Sequence, residues 1–159
     1  MPRRLSKDEA LDRLASDMPV GACPMCTLLE RSSTRFLERG GRVSALLTGF
    51  PLAWGHVLVV MHGHTTRFAD LDDEVHAEMS AMAHRFARRV EVSLAPARVY
   101  VASLGSDREG LAMTTPHLHY HVVPVQERAA RPAEVFTWER GIWDGTPAEW
   151  DALAEKLLG

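Results

Sequence analysis

No stretch of this chain is both long and apolar. Its longest hydrophobic run, HVLVVM at 56–61, falls far short of the roughly 20 residues that cross a bilayer. Arg3 and Arg4 are followed by no apolar core, so the opening lacks the pattern of a secretory signal, and a cytoplasmic location is the default expectation. Basic charge is not in surplus either. The formal net charge of −3 and a pI of about 6.2 give no general electrostatic reason to bind nucleic acid. Cysteine is scarce, with Cys23 and Cys26 the only two in 159 residues, and a disulfide between them would close a tiny loop that a reducing compartment disfavours. Internal repeats and low-complexity segments are also missing. What remains, 46% hydrophobic and 25% charged, is the composition of an ordinary globular domain of single-domain length.

The pattern of elements points to an α+β fold. Ser6 and Glu9 stand in capping-box spacing ahead of Leu11 and Leu14, predicting a short helix over 6–18. CPMCTLLERS reads as a turn entering a helical stub. RVSALLTGF (42–50) and GHVLVVM (55–61) are strand-length apolar runs joined by PLAW, an antiparallel pair. Over 70–92 the residues Leu71, Val75, Met79, Met82, Phe86 and Val90 recur at three- and four-residue steps, predicting a long helix with Asp70 as its cap. His76 and His84 lie off that stripe, on the solvent side. ARVYVASL (97–104) and HLHYHVVPV (117–125) are two more strands, separated by the loop GSDREGLAMTTP. After Val125 the period is lost among Phe136, Trp138 and Trp143. Thr146, Pro147 and Glu149 then start a closing helix whose apolar side holds Trp150, Leu153, Leu157 and Leu158. This order gives a mostly antiparallel sheet with helices packed on it.

The chemistry gathers on histidine. If 117–124 is a strand, alternation puts His117, His119 and His121 on one face, about 7 Å apart, and Leu118, Tyr120 and Val122 on the other. Solvent faces draw Lys, Glu, Thr or Ser rather than three histidines, so two functional readings stand. Neutral imidazoles on one face can chelate a metal together. Alternatively, the middle ring attacks an electrophile such as phosphorus while its neighbours bind the group under attack. His56, His62 and His64 flank the VLVV strand, and with Cys23 and Cys26 they supply further zinc-type ligands. The Cys-x-x-Cys spacing alone fits half a zinc site or a redox pair, although no thioredoxin-like βαβ pattern surrounds it. His62 reads as a solvated loop residue. Phe36, Phe50 and Trp54 offer stacking surface for a base but are more simply core aromatics.

These motifs together resemble the histidine-triad (HIT) family. HLHYHVV resembles its alternating histidine strand. GHVLVVMHGH resembles the segment in which Gly-His opens an apolar strand and a second histidine follows eight residues on. CPMC stands where bacterial members carry Cys-x-x-Cys, and the C-terminal tryptophan segment and helix are similar to theirs. The resemblance implies a HIT-like fold over 22–125, a five-stranded antiparallel sheet with a long helix and a C-terminal helix. Around it lie an N-terminal helical extension (1–21) and a C-terminal segment (126–159). It implies a homodimer that hydrolyses or transfers nucleotidyl groups at the α-phosphate of nucleoside phosphate conjugates: dinucleoside polyphosphates, phosphoramidates or acyl-adenylates. His119 is then the nucleophile, His121 contacts the phosphate, and His56 orients the neighbouring imidazoles. A structural zinc is implied on Cys23, Cys26, His64 and His117.

Attack at phosphorus builds negative charge on the non-bridging oxygens, which calls for donors aimed there. The loop before the histidines offers Gly105, Ser106, Thr114, Thr115 and the cation of Arg108. Three positions depart from the family pattern. Thr48 stands where a ribose-gripping acid is common, Ser103 where a phosphate-binding Asn ends the strand, and Met113 where a Gln precedes the triad, with Thr114 next. The first departure removes a charge-assisted hydrogen bond worth about 1.5–3 kcal/mol. These differences bear on substrate, and leave room for a nucleotide-binding or signalling module with weak turnover.

Overall fold

A computed structural model describes residues 1–18, 20–105 and 115–159 of the chain. Its centre is a five-stranded antiparallel sheet in the order β2-β3-β4-β6-β5, built from β2 (Arg35–Arg39), β3 (Val43–Leu47), β4 (Val57–Met61), β5 (Arg98–Ala102) and β6 (His119–Val125). The expected 42–50 and 55–61 pair is present, with Val43 opposite Met61 and Leu47 opposite Val57. Both strands are buried at every position, because both faces of the sheet are covered.

One face carries α3 (Asp73–Leu94) and α5 (Pro147–Leu158). Val43, Ala45, Leu47, Val57, Val59, Met61, Leu118 and Val122 pack there against Val75, Met79, Met82, Phe86 and Val90 of α3, as the helical stripe predicted. The cap of α3 differs from expectation. Asp72, not Asp70, accepts from the amides of Glu74 and Val75, at 3.0 and 3.1 Å. Asp70 sits instead in a short 3₁₀ turn, ion-paired with Arg67. Two acidic residues so close in sequence both satisfy a cap pattern, and only the entry path of the chain selects between them. The capping box of α5 forms as read, and Trp150, Leu153 and Leu157 are buried. Leu158, expected on the apolar side, is 47% exposed in the last turn.

The opposite face is covered in two places. Near β3 and β4, α2 (Pro24–Glu30) brings Met25 onto Leu46, Leu58 and Val60. Near β6, α4 (Pro132–Phe136) brings Val135 onto Val123 and Val125. His119 and His121 lie between these covers, paired across the ladder with Val60 and Leu58. The strand, however, starts only at His119. His117 stands before it in a bend whose amide donates to the Thr115 carbonyl, while the next amide, Leu118, donates to Thr65. The three histidines are therefore not one uninterrupted alternation.

The chain ends form a second layer on the same side. β1 (Arg3–Leu5) pairs antiparallel with β7 (Ile142–Asp144), and α1 (Lys7–Asp17) follows with its Ser6–Glu9 capping box intact. Leu5, Ala10, Trp138 and Ile142 form a small core with Leu11, Leu14, Phe50 and Leu52. Gly141 permits the pairing: its φ is +71°, and an added Cβ would lie 2.0 Å from the Leu5 carbonyl oxygen. Neither this sheet nor β2 was visible in the sequence pattern, since three-residue strands and the polar RFLER carry no readable period.

Candidate functional site

Two clusters of side chains meet at His117. The first is a chain of imidazoles whose hydrogen bonds run in one direction. The Leu52 amide, which can only donate, reaches His56 Nδ1 at 3.2 Å. The proton of the neutral His56 ring is therefore on Nε2, 3.0 Å from His121 Nδ1. His121 accepts there and must carry its own proton on Nε2, which lies 3.1 Å from His119 Nε2. His119 accepts in turn, so its proton is on Nδ1, 2.6 Å from the His117 carbonyl oxygen. That oxygen can only accept. The assignments made from the two ends agree, and they leave the His119 Nε2 lone pair bonded to one donor, the His121 N–H.

The rings are held neutral by their surroundings. Burial lowers His56 from 6.5 to about 3, and a positive charge on His119 would push it further. Burial, with His56 and His119 alongside, keeps His121 well below its ordinary value. His119 is lowered by burial, opposed by its bond to the His117 carbonyl. Between about pH 3 and pH 6.5 the unfolded chain thus binds more protons at these rings than the native protein does. Their stabilising contribution is complete above pH 6.5 and declines as pH falls toward 3. Acidification from about pH 7 to about pH 4 is expected to cost roughly 2–4 kcal/mol through His56 alone. Urea midpoints across that interval measure it, and a flat profile would mean that His56 titrates as a solvated ring.

The second cluster is Cys23, Cys26, His64 and His117, whose ligand atoms all lie within 4.8 Å of one another. His117 is fully buried, and its Nε2–H donates to the Met61 carbonyl at 2.8 Å. Its Nδ1 lone pair therefore points at the sulfurs of Cys23 and Cys26, 3.4 and 3.5 Å away, and His64 Nδ1 is 3.5 Å from Cys26. Tetrahedral zinc with ordinary bond lengths sets sulfur and nitrogen about 3.5 Å apart. The donor set, its spacing and the outer hydrogen bond on His117 all suit such an ion. Burial, with Cys23 alongside, pushes the Cys26 thiol up to about 11, so a cation is what would keep Cys26 as a thiolate.

His117 joins the two clusters, with its ring among the cysteines and its carbonyl holding His119. The histidines and cysteines singled out in the sequence fall into two groups, the hydrogen-bonded His56, His119 and His121 and the cluster of Cys23, Cys26, His64 and His117. The rings of His117, His119 and His121 do not converge on a common point. Thr48 is buried, and its Oγ1 accepts from the Phe50 amide in the turn after β3. Thr115 is buried beside His117, and Ser103 is half-buried just past Ala102, the partner of His121. Thr114, Ser106, Arg108 and Met113 lie outside the described residues. His62 is exposed and bonded to Ser44 at 2.8 Å, apart from both clusters. Trp54 packs on Trp150, Phe50 on Trp138, and Phe36 lies under Arg39, all as structural aromatics. Phe136, whose ring centroid is 5.7 Å from that of His121, was not found from sequence, and neither was the Leu52 amide.

Residues 30–128 match the family profile described as the HIT domain. The chain belongs to the HIT family. An uncharacterised 16.1 kDa HIT-like protein of Mycoplasma pneumoniae is 31% identical over 107 residues, covering 66% of this chain and 72% of that one. Among solved structures, a hypothetical histidine triad nucleotide-binding protein from Sulfolobus tokodaii superposes with a TM-score of 0.67 at 18% identity, covering 86% of this chain and 89% of its own. A zinc-bound histidine triad family protein from Mycobacterium smegmatis does so at 0.62 and 22% identity, covering 86% and 93%. These likenesses carry the fold. The two cysteines, α4 and Trp138 fall outside the matched 30–128 segment. No helix among the described residues is long and apolar enough to cross a membrane.

Proposed function

We propose that this HIT protein is a nucleotidyl hydrolase or transferase acting at the α-phosphate of nucleoside phosphate conjugates, through a covalent intermediate on His119. The observation that carries the proposal is the directed imidazole chain, which leaves a lone pair on His119 Nε2 and an N–H on His121 Nε2 side by side. His119 Nε2 attacks the α-phosphorus, and the bond from phosphorus to the leaving group breaks. Substrate entry replaces the His119–His121 hydrogen bond, and the freed His121 N–H donates to a phosphate or leaving-group atom. Water, or another acceptor, then attacks the phosphorus and releases His119, with its departing proton taken up by the same ring system. His56 holds His121 in the required tautomer. Thr115 and Ser103 border the triad, and Thr114 belongs to the same proposed phosphate-binding loop.

Cys23, Cys26, His64 and His117 would hold a structural zinc, which when bound braces the bend that carries the His117 carbonyl. A homodimer is part of the reading: β5 is an edge strand, and Val101 on it, Leu104 beyond it and Val92 on α3 are exposed. Thr48 offers a neutral hydroxyl already engaged in a turn, which favours a looser grip on ribose than a carboxylate gives. Brief exposure to adenosine 5′-phosphoramidate or a dinucleoside polyphosphate, followed by mass spectrometry, is expected to find a nucleotidyl group on His119. Nucleotide binding by calorimetry with no trappable adduct would instead mark a binding module.

A further inference from the structure

The two chain ends meet over one turn, and that turn sets the first hydrogen bond of the imidazole chain. Residues 50–52 leave β3 and reach His56, where the Leu52 amide fixes the Nδ1 lone pair. Three contacts hold the turn from outside. The Trp138 ring stacks on Phe50, with centroids 5.7 Å apart and planes within 7°. The Trp143 amide donates to the Pro51 carbonyl at 2.9 Å. Leu52 packs in the small core that Trp138 shares with Leu5, Ala10 and Ile142.

The N-terminal strand closes this arrangement from the other side. β1 pairs with β7 through Leu5 and Ile142, and Arg13 reaches both Asp144, at 3.0 Å, and the Phe50 ring. Trp138 itself holds φ at +60°, a left-handed conformation rare for a bulky residue that persists only when its surroundings enforce it. A strained tryptophan stacked on the turn that orients a buried imidazole is more than a cover for apolar surface.

We infer that Trp138 and the Trp143 amide, clamped by β1, are positioning elements that favour one tautomer of His56 and so keep a proton on His121 Nε2, facing the His119 Nε2 lone pair. The consequence for turnover rests on the function proposed above; the tautomer does not. If Phe50 and Pro51 shift, the Leu52 amide leaves Nδ1, and only the His119 acceptor at the far end of the chain of rings still opposes reversal at His56. Reversal at His56 reverses His121 and leaves two unprotonated nitrogens facing each other at His119.

The test is imidazole nitrogen NMR on the full chain with its metal. In the parent protein His56 is expected as a single Nε2–H tautomer. Trp138→Leu keeps apolar bulk but loses the stack, and is expected to give a mixture at His56; Phe50→Leu, altered from the other side of the stack, should do the same if the first variant folds poorly. Trp138→Phe, which retains a stacking ring, should restore the single tautomer. Leu157→Ala, in the main core, should lower the melting temperature without changing His56. With adenosine 5′-phosphoramidate as substrate, Trp138→Leu should reduce kcat by about tenfold and leave KM nearly unchanged. A single unaltered His56 tautomer in folded Trp138→Leu and Phe50→Leu overturns the inference, whatever the activity. A parent protein with no turnover but a tautomer that mixes in these variants leaves the inference standing and removes the enzyme.

Discussion

Replacing His119 by alanine is expected to cut turnover of an adenosine 5′-phosphoramidate by about four orders of magnitude or more. The size follows from what is removed. Of the other unprotonated ring nitrogens, His56 Nδ1 is held by the Leu52 amide and His121 Nδ1 by the His56 N–H, so only His119 Nε2, at the end of the chain, can serve as nucleophile. His121 presents a proton at the same place, and His56 is buried behind it. The variant should remain folded and still bind nucleoside monophosphate, because His117 keeps its bonds to Met61 and to the cysteine cluster. Its instability should be modest, about 1–3 kcal/mol, from the His121 N–H left without an acceptor. Steady-state rates and a melting curve measured together separate the two effects. A rate equal to that of the parent would end the covalent mechanism.

Cys23→Ser should release the metal. A serine hydroxyl matches the thiol in size but does not ionise near neutral pH, so the tetrahedral set loses a charged ligand. Elemental analysis is expected to fall from about one zinc per chain to nearly none. The melting temperature should drop by roughly 10 °C, the shift that a loss of about 3–4 kcal/mol produces in a domain of this size. The parent protein treated with a strong chelator should melt where the variant does, and the variant should not respond to chelator at all. Activity should fall less than for His119→Ala, since the nucleophile survives and only the bend beneath it loosens. Unchanged metal content in Cys23→Ser would place the ion elsewhere, with the triad rings as the next ligands to examine.

Much of the scaffold was legible because periodicity and capping are local signals. The α3 stripe from Val75 to Val90, the capping boxes of α1 and α5, and the β3–β4 pair needed only neighbouring residues to be recognised. The errors have the same origin. Asp70 and Asp72 are equivalent caps to a local reading, and Leu158 fits the helical period although it stands exposed in the last turn beside the buried Leu157. The alternation of HLHYH suggested one strand of three equal histidines. A bend at His117 separates them, because Thr115 and Thr65 take the backbone bonds that a ladder would otherwise use.

By itself the sequence determined the set of chemical groups: three spaced histidines, a distant Gly-His, a Cys-x-x-Cys, and an α+β order of elements to carry them. Those are matters of residue type and local spacing. Only the tertiary structure decided how the groups are divided and which nitrogen bears each proton. His117 faces two sulfurs because Met61, distant in sequence, claims its other nitrogen. His121 presents its proton to the His119 lone pair because an amide at Leu52 begins the order of donors and the His117 carbonyl ends it. Hydrogen-bond direction is a property of partners brought together from separate parts of the chain, and no local pattern encodes it.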